Sequence, residues 1–128
     1  MKKALALLLS FTLLALSLTA CNKTPKIQKW TWELISVDRD GVMIDIEGRL
    51  TAKRGTLTFT DETNAKIYTG TYSDRDEFSP TASDYRITME RAKGHALIVI
   101  GENADGESVT NLSLTLGDYS LLFVPIED

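Results

Sequence analysis

Beyond Trp30 the apolar residues recur at every second position, and this period fixes what the chain can fold into. Trp30, Trp32 and Leu34 alternate with Thr31 and Glu33, and Leu57 and Phe59 alternate with Thr56, Thr58 and Thr60. Tyr85, Ile87 and Met89 alternate with Arg86, Thr88 and Glu90, and Leu112, Leu114 and Leu116 with Ser113 and Thr115. Tyr119, Leu121 and Phe123 form one face of a final run. A period of two marks strands with one buried face, because successive side chains of a strand point to opposite sides. Ala96 to Ile100 is apolar without a break, the pattern of a strand covered on both sides. The 13 Thr after residue 20 also favour strand over helix.

Turn residues punctuate these runs: Asp40-Gly41, Asp61-Glu62-Thr63-Asn64, Lys93-Gly94, Asp105-Gly106 and Gly117-Asp118. Gly117-Asp118 separates two alternating runs and reads as a two-residue hairpin turn. The pattern predicts strands over 30–37, 55–60, 65–73, 84–90, 95–102, 107–116 and 119–125. The stretch 42–51 reads either as an eighth short strand (Val42, Ile44 and Ile46 alternate) or as a single helical turn. Residues 73–83 read as a long polar loop containing Pro80. The fold class is therefore all-β: an antiparallel meander of seven or eight strands forming a small barrel or a curved sandwich, because a sheet that long curls and closes to remove its edges. A domain of about 100 residues leaves little interior space once its core is filled.

The first 21 residues have a different build. Lys2 and Lys3 precede an apolar run from Ala4 to Leu18, and small residues lead into Cys21. This is the arrangement of a secretory signal peptide, and the run is shorter than the roughly 20 residues a bilayer-spanning helix needs. Leu18-Thr19-Ala20-Cys21 resembles the lipobox of bacterial lipoproteins. That resemblance implies cleavage between Ala20 and Cys21, a diacylglycerol thioether on Cys21, and usually acylation of the new amino terminus. The alternative is ordinary secretion with a free thiol. Two or more acyl chains hold a protein on a leaflet without a spanning helix. The implied organisation is a signal peptide at 1–20, a lipidated tether at 21–29 and a barrel domain at 30–128. The tether, if extended, reaches at most about 25–30 Å, and Lys23, Lys26 and Lys29 lie where head groups would be. The implied location is the extracytoplasmic face of the cell membrane. In a Gram-negative cell, Asn22 after the cysteine resembles the sorting signal for the outer membrane.

The barrel segment also carries a resemblance. Trp30-Thr31-Trp32-Glu33-Leu34-Ile35-Ser36-Val37 followed by Asp40-Gly41, with the runs 56–62 and 117–125, resembles small bacterial lipocalin-like lipoproteins. Glu62 stands where that group has a turn glycine. The Trp-x-Leu opening is shared with a domain of heat-shock-associated envelope proteins, whose Gly-Cys-Asn segment is absent here. Neither resemblance carries a functional residue across.

Chemistry-bearing motifs are few. Past residue 20 the chain has 12 basic and 18 acidic side chains, a net of −6 with no basic block. That excludes the electrostatic footprint of a nucleic-acid binder. One Cys and one His exclude a Cys/His zinc site and an internal disulfide. His95 sits at a strand edge with no Gly-x-Ser-x-Gly motif in the chain. Asp38-x-Asp40-Gly41 and Asn103-x-Asp105-Gly106-Glu107 place oxygen ligands close together but lack the rest of a calcium loop. No catalytic residue, metal site or cofactor is therefore expected.

Five aromatic residues are the ligand-binding candidates: Trp30, Trp32, Phe59, Tyr68 and Tyr72. The two indoles either line a barrel mouth or plug its closed end, and Tyr68 and Tyr72 share a face beside Gly70, which makes room for a ring or a bend. The sequence thus points to a lipid-anchored cell-envelope protein of binding or interaction type. One alternative is a lipocalin-like binder of a small apolar ligand. The other is an accessory or inhibitor that contacts envelope proteins, with the polar stretch 73–83 as a contact surface.

Overall fold

The computed structural model describes residues 25–126, apart from Pro80, with backbone placement alone for 74–79. The export segment, Ala20 and Cys21 lie outside the described residues. The strands are β1 (Trp32–Arg39), β2 (Val42–Ile44), β3 (Gly48–Lys53), β4 (Thr56–Asp61), β5 (Lys66–Ser79), β6 (Ala82–Met89), β7 (Ala92–Glu102), β8 (Ser108–Leu116) and β9 (Tyr119–Pro125). Each pairs antiparallel with its neighbour in sequence, and β1 pairs with β9 from Trp32↔Pro125 to Arg39↔Tyr119, which closes the sheet.

The nine strands make an eight-stranded wall, since β2 and β3 occupy one position. β2 pairs with Val37–Arg39 and β3 with Trp32 and Glu33, so both run along the same edge of β1. The break at 45–47 is tied to the next turn: Glu47 N–H donates to Thr63 Oγ1 (2.8 Å), and Glu62 N–H to the Glu47 carbonyl (2.9 Å). This interruption resolves the ambiguity of 42–51 in favour of two short strands. The result is the small up-and-down barrel that the alternation predicts, lipocalin-like in form, with its sheet closed by the β1–β9 seam.

The alternating runs supply the interior. Leu57 and Phe59, Tyr85, Ile87 and Met89, and Leu112, Leu114 and Leu116 all point inward and are buried. Gly117 adopts φ +54° at the first position of the two-residue β8–β9 turn, a conformation that favours glycine.

Four local expectations are corrected. The stretch 73–83 is not a loop: the backbones of β5 and β6 stay paired as far as Ser79↔Ala82, with bulges after Asp74 and Glu77. A run polar except for Phe78, Pro80 and Ala82 gives no alternation to read, yet ladder hydrogen bonds need only backbone. Lys93-Gly94 is not a turn, because Met89↔Ala92 puts the reversal at Glu90-Arg91, with Glu90 at φ +55°. Gly94 instead lets β8 approach: a Cβ there would lie 1.7 Å from the Thr115 carbonyl oxygen. Gly70 likewise makes room for the β6 backbone at Thr88 and not for a ring. Finally, Ala96–Ile100 is covered on one side only, with Ala96 and Ile98 buried and Val99 40% exposed.

Pro25–Lys29, placed by the sequence reading in a tether over 21–29, pack against the barrel. Pro25 and Ile27 are fully buried, and Ile27–Lys29 form one 3-10 turn across the end of the barrel where β1 begins. Three hydrogen bonds hold this segment. Trp32 Nε1–H donates to the Ile27 carbonyl (2.9 Å), Ile27 N–H to the Tyr85 hydroxyl (3.1 Å), and Ser83 Oγ–H to the Pro25 carbonyl (2.6 Å). Proline and isoleucine at 25 and 27 supply apolar surface that a polar spacer would not, so both belong to the packed domain.

Candidate functional site

The hairpin connections sort the side chains between two ends of the barrel. One end carries the start of β1, the β3–β4 turn and the β7–β8 loop. The other carries the β1–β2, β4–β5, β6–β7 and β8–β9 turns. The first end is closed by Ile27 and Trp32, both fully buried. The second is open.

At the open end a cavity of about 330 Å³ enters the barrel. Its wall is apolar: Val37, Ile44, Ile46, Phe59, Met89, Leu114 and Leu121 face it, among others. Apart from Ile46, which lies in the break between β2 and β3, each comes from the mouth-proximal part of its strand. Phe59 anchors the wall, stacked with Tyr68 at 6.2 Å between ring centroids and edge-on to Phe123 at 6.1 Å. Phe123 is fully buried and forms part of the packing beneath. Such a concave apolar wall with a few polar groups at its lip is the general form of a small-molecule site, at the small end of the usual range.

Polar groups sit at that lip. Asp61 faces inward at the end of β4 and is only 5% exposed. Its carboxylate accepts from the Asn64 side-chain amide (2.8 Å) and the Asn64 backbone N–H (3.0 Å). The side-chain bond from Asn64 is the main reason its carboxyl is held below the ordinary value of 3.8, against a smaller opposing effect of burial. Glu90 also borders the cavity, and the Arg39 guanidinium lies 5.3 Å from the centre of the Tyr119 ring. Val42 and Met43 (each 66% exposed) and Ile67 (68%) leave apolar surface beside the mouth.

The five aromatic candidates do not form one site. Phe59 and Tyr68 border the cavity. Trp32 lies in the closed end and packs edge-on against Trp30 at 5.3 Å. Trp30 and Tyr72 border a separate, shallower groove of about 880 Å³ outside the closed end, shared with Lys29, Lys53 and Arg54. Tyr72 meets Tyr85 edge-on at 5.9 Å. Tyr68 and Tyr72 share a face, but the four-residue step along β5 carries them to opposite ends. The cavity-lining Leu114 and Leu121 were visible in the sequence as inward-facing positions, whereas Val37 is out of phase with Trp32 and Leu34 and turns inward at the bulge between Leu34 and Ser36. Their common end follows only from counting each residue's distance from its hairpin turn.

His95 is exposed on the outer side of β7. Asn103 Oδ1 accepts from the backbone N–H groups of Asp105 and Glu107 (both 3.0 Å), so that acidic motif is spent on its own turn. Among the described residues there is no group of three or more His, Cys, Asp or Glu side chains that could hold a metal ion. Among them too, no helix is long and apolar enough to cross a membrane. In comparisons with known proteins, no family model, curated protein or solved structure matches the chain.

Proposed function

We propose that this protein is a non-catalytic binding protein that holds a small apolar molecule in the open end of its barrel, and that acyl chains on Cys21 keep it at the extracytoplasmic face of a membrane. The cavity of about 330 Å³ supports the binding reading. A wall of aliphatic and aromatic side chains in contact with water favours an apolar guest, because each Å² removed from water contributes about 25 cal/mol. The Leu18-Thr19-Ala20-Cys21 motif supports the anchoring reading.

A neutral fluorescent probe, N-phenyl-1-naphthylamine, tests the binding. Its emission is expected to rise and saturate at one probe per chain. Leu114→Trp, which fills the cavity from one wall, is expected to remove that signal, whereas Trp30→Ala at the other end leaves it intact. Probe binding that does not saturate, or that survives Leu114→Trp, overturns the assignment. Intact mass of the protein extracted from membranes tests the anchor. Cleavage before Cys21 with added acyl mass is expected, and Cys21→Ser should abolish both.

Exposed Val42, Met43 and Ile67 beside the mouth support a second reading, in which a protein partner covers that end. Cysteine-specific crosslinking from Met43→Cys in intact cells distinguishes the two. A single abundant adduct favours a partner.

A further inference from the structure

The groove outside the closed end has a different character from the cavity. Its border holds three cations, Lys29, Lys53 and Arg54, and no carboxylate among the described residues. Trp30 and Tyr72 supply two half-buried aromatic rings. The Lys29 ammonium lies 4.8 Å from the centre of the Trp30 ring. Lys53 and Arg54 project from the β3–β4 turn, both exposed, and neither has a carboxylate partner among the described residues. Three cations without a carboxylate partner among the described residues, beside amphipathic rings, form a surface that matches a phosphate-bearing head group over an apolar layer.

Covalent geometry brings this groove near a bilayer. Four Cα steps separate Cys21 from Pro25, so an acylated Cys21 lies within at most about 14 Å of the buried Pro25. The closed end is therefore the one that meets the leaflet. The acidic residues of the β7–β8 loop, Glu102, Asp105 and Glu107, belong to the same end, but in the closed strand order β7–β8 lies diametrically opposite β3–β4. Contact of the β3–β4 side with a negative surface keeps the acidic β7–β8 loop away from it.

We infer that the Lys29–Trp30–Lys53–Arg54 groove binds the head groups of anionic phospholipids and orients the barrel on the membrane with its open mouth pointing outward. This rests on the anchoring reading given above, yet its test is independent of acylation. The chain from residue 21 onward, carrying Cys21→Ser, is sedimented with phosphatidylglycerol vesicles and with phosphatidylcholine vesicles. Lys53→Glu/Arg54→Glu is compared with Arg91→Glu/Lys93→Glu, which makes the same change in net charge at the opposite end. All four side chains are exposed, so both variants are expected to fold, and denaturant midpoints check this.

Preferential binding to phosphatidylglycerol, reduced at least tenfold by Lys53→Glu/Arg54→Glu and much less by the control pair, is the expected result, since reversing each cation turns its attraction to an anionic surface into repulsion. Equal losses in the two double variants, or no preference between the lipids, overturn the inference. So does abolition of vesicle binding by inorganic phosphate at matched ionic strength, which assigns the groove to soluble phosphate instead. Because this chain is unacylated, failure here leaves the mass-spectrometric test of the anchor unaffected.

Discussion

The two ends of the barrel are built from the same alternating strands and differ in how far their side chains are covered. Along β9, Phe123 is fully buried, Leu121 is 9% exposed and Tyr119 is 39% exposed. Along β8, Leu112 is fully buried and Leu116 is 8% exposed. Both gradients run from the closed end to the open one. The cause is the segment Pro25–Lys29, which lays apolar side chains and three hydrogen bonds across the first end and has no counterpart at the second. A barrel wall alone therefore does not decide between a filled core and a cavity. What crosses the end of the wall decides it.

Breaking the closed end gives the largest expected effect. Trp32→Ala removes a fully buried indole and leaves the Ile27 carbonyl without its donor. A loss of about 4 kcal/mol is expected, measured by urea unfolding. Faster hydrogen exchange at Ile27 should accompany it as the segment loosens. A loss below about 1 kcal/mol would show that the segment contributes little to stability and would erase the contrast between the ends.

A pair of identical substitutions on one strand sharpens the comparison. Leu112→Ala opens a void in tightly packed interior and is expected to cost about 3 kcal/mol. Leu116→Ala widens a cavity that already exists, so a cost of about 1 kcal/mol is expected, together with stronger uptake of bulkier apolar probes. Equal costs would mean that the two ends are packed alike.

The smallest expected effect is a pH dependence at the open end. The Asn64 bond to the Asp61 carboxylate favours the charged form, so the folded-state value lies below the ordinary 3.8. The resulting stability is fully present above about pH 4 and is lost as pH falls through the folded value. The stability difference between the native protein and Asp61→Asn, measured across pH 6 to pH 2.5, is expected to shrink only below about pH 4. A difference that stays constant over that range would show that the Asn64 bond does not favour the charged carboxylate.

Much of the barrel was legible in the sequence because alternation is a local signal. Tyr85-Ile87-Met89 and Leu112-Leu114-Leu116 needed no long-range information to be read as one-sided strands. What escaped reading was set by partners distant in sequence. The polar tract 74–79 became strand because β6 returns alongside it, and Gly94 became a point of close approach because β8 lies against it. Pro25 and Ile27 looked like spacer residues, since their burial depends on Ser83 and Tyr85, 58 positions away. The aromatic candidates were scattered for the same reason: composition picked out Trp30, Phe59 and Tyr72, but only the hairpin register says which end each one serves.

Closure between β1 and β9 bears on how the protein is made. Residues nearly the whole domain apart must find each other before the seam zips, as in Trp32↔Pro125. Folding dominated by such distant pairings is slow, on the order of milliseconds to seconds. A nascent chain that has not yet delivered Phe123 has two bare strand margins and no lid for its grease, so the interval before the last strand arrives is when this polypeptide is most exposed to clumping and to proteases.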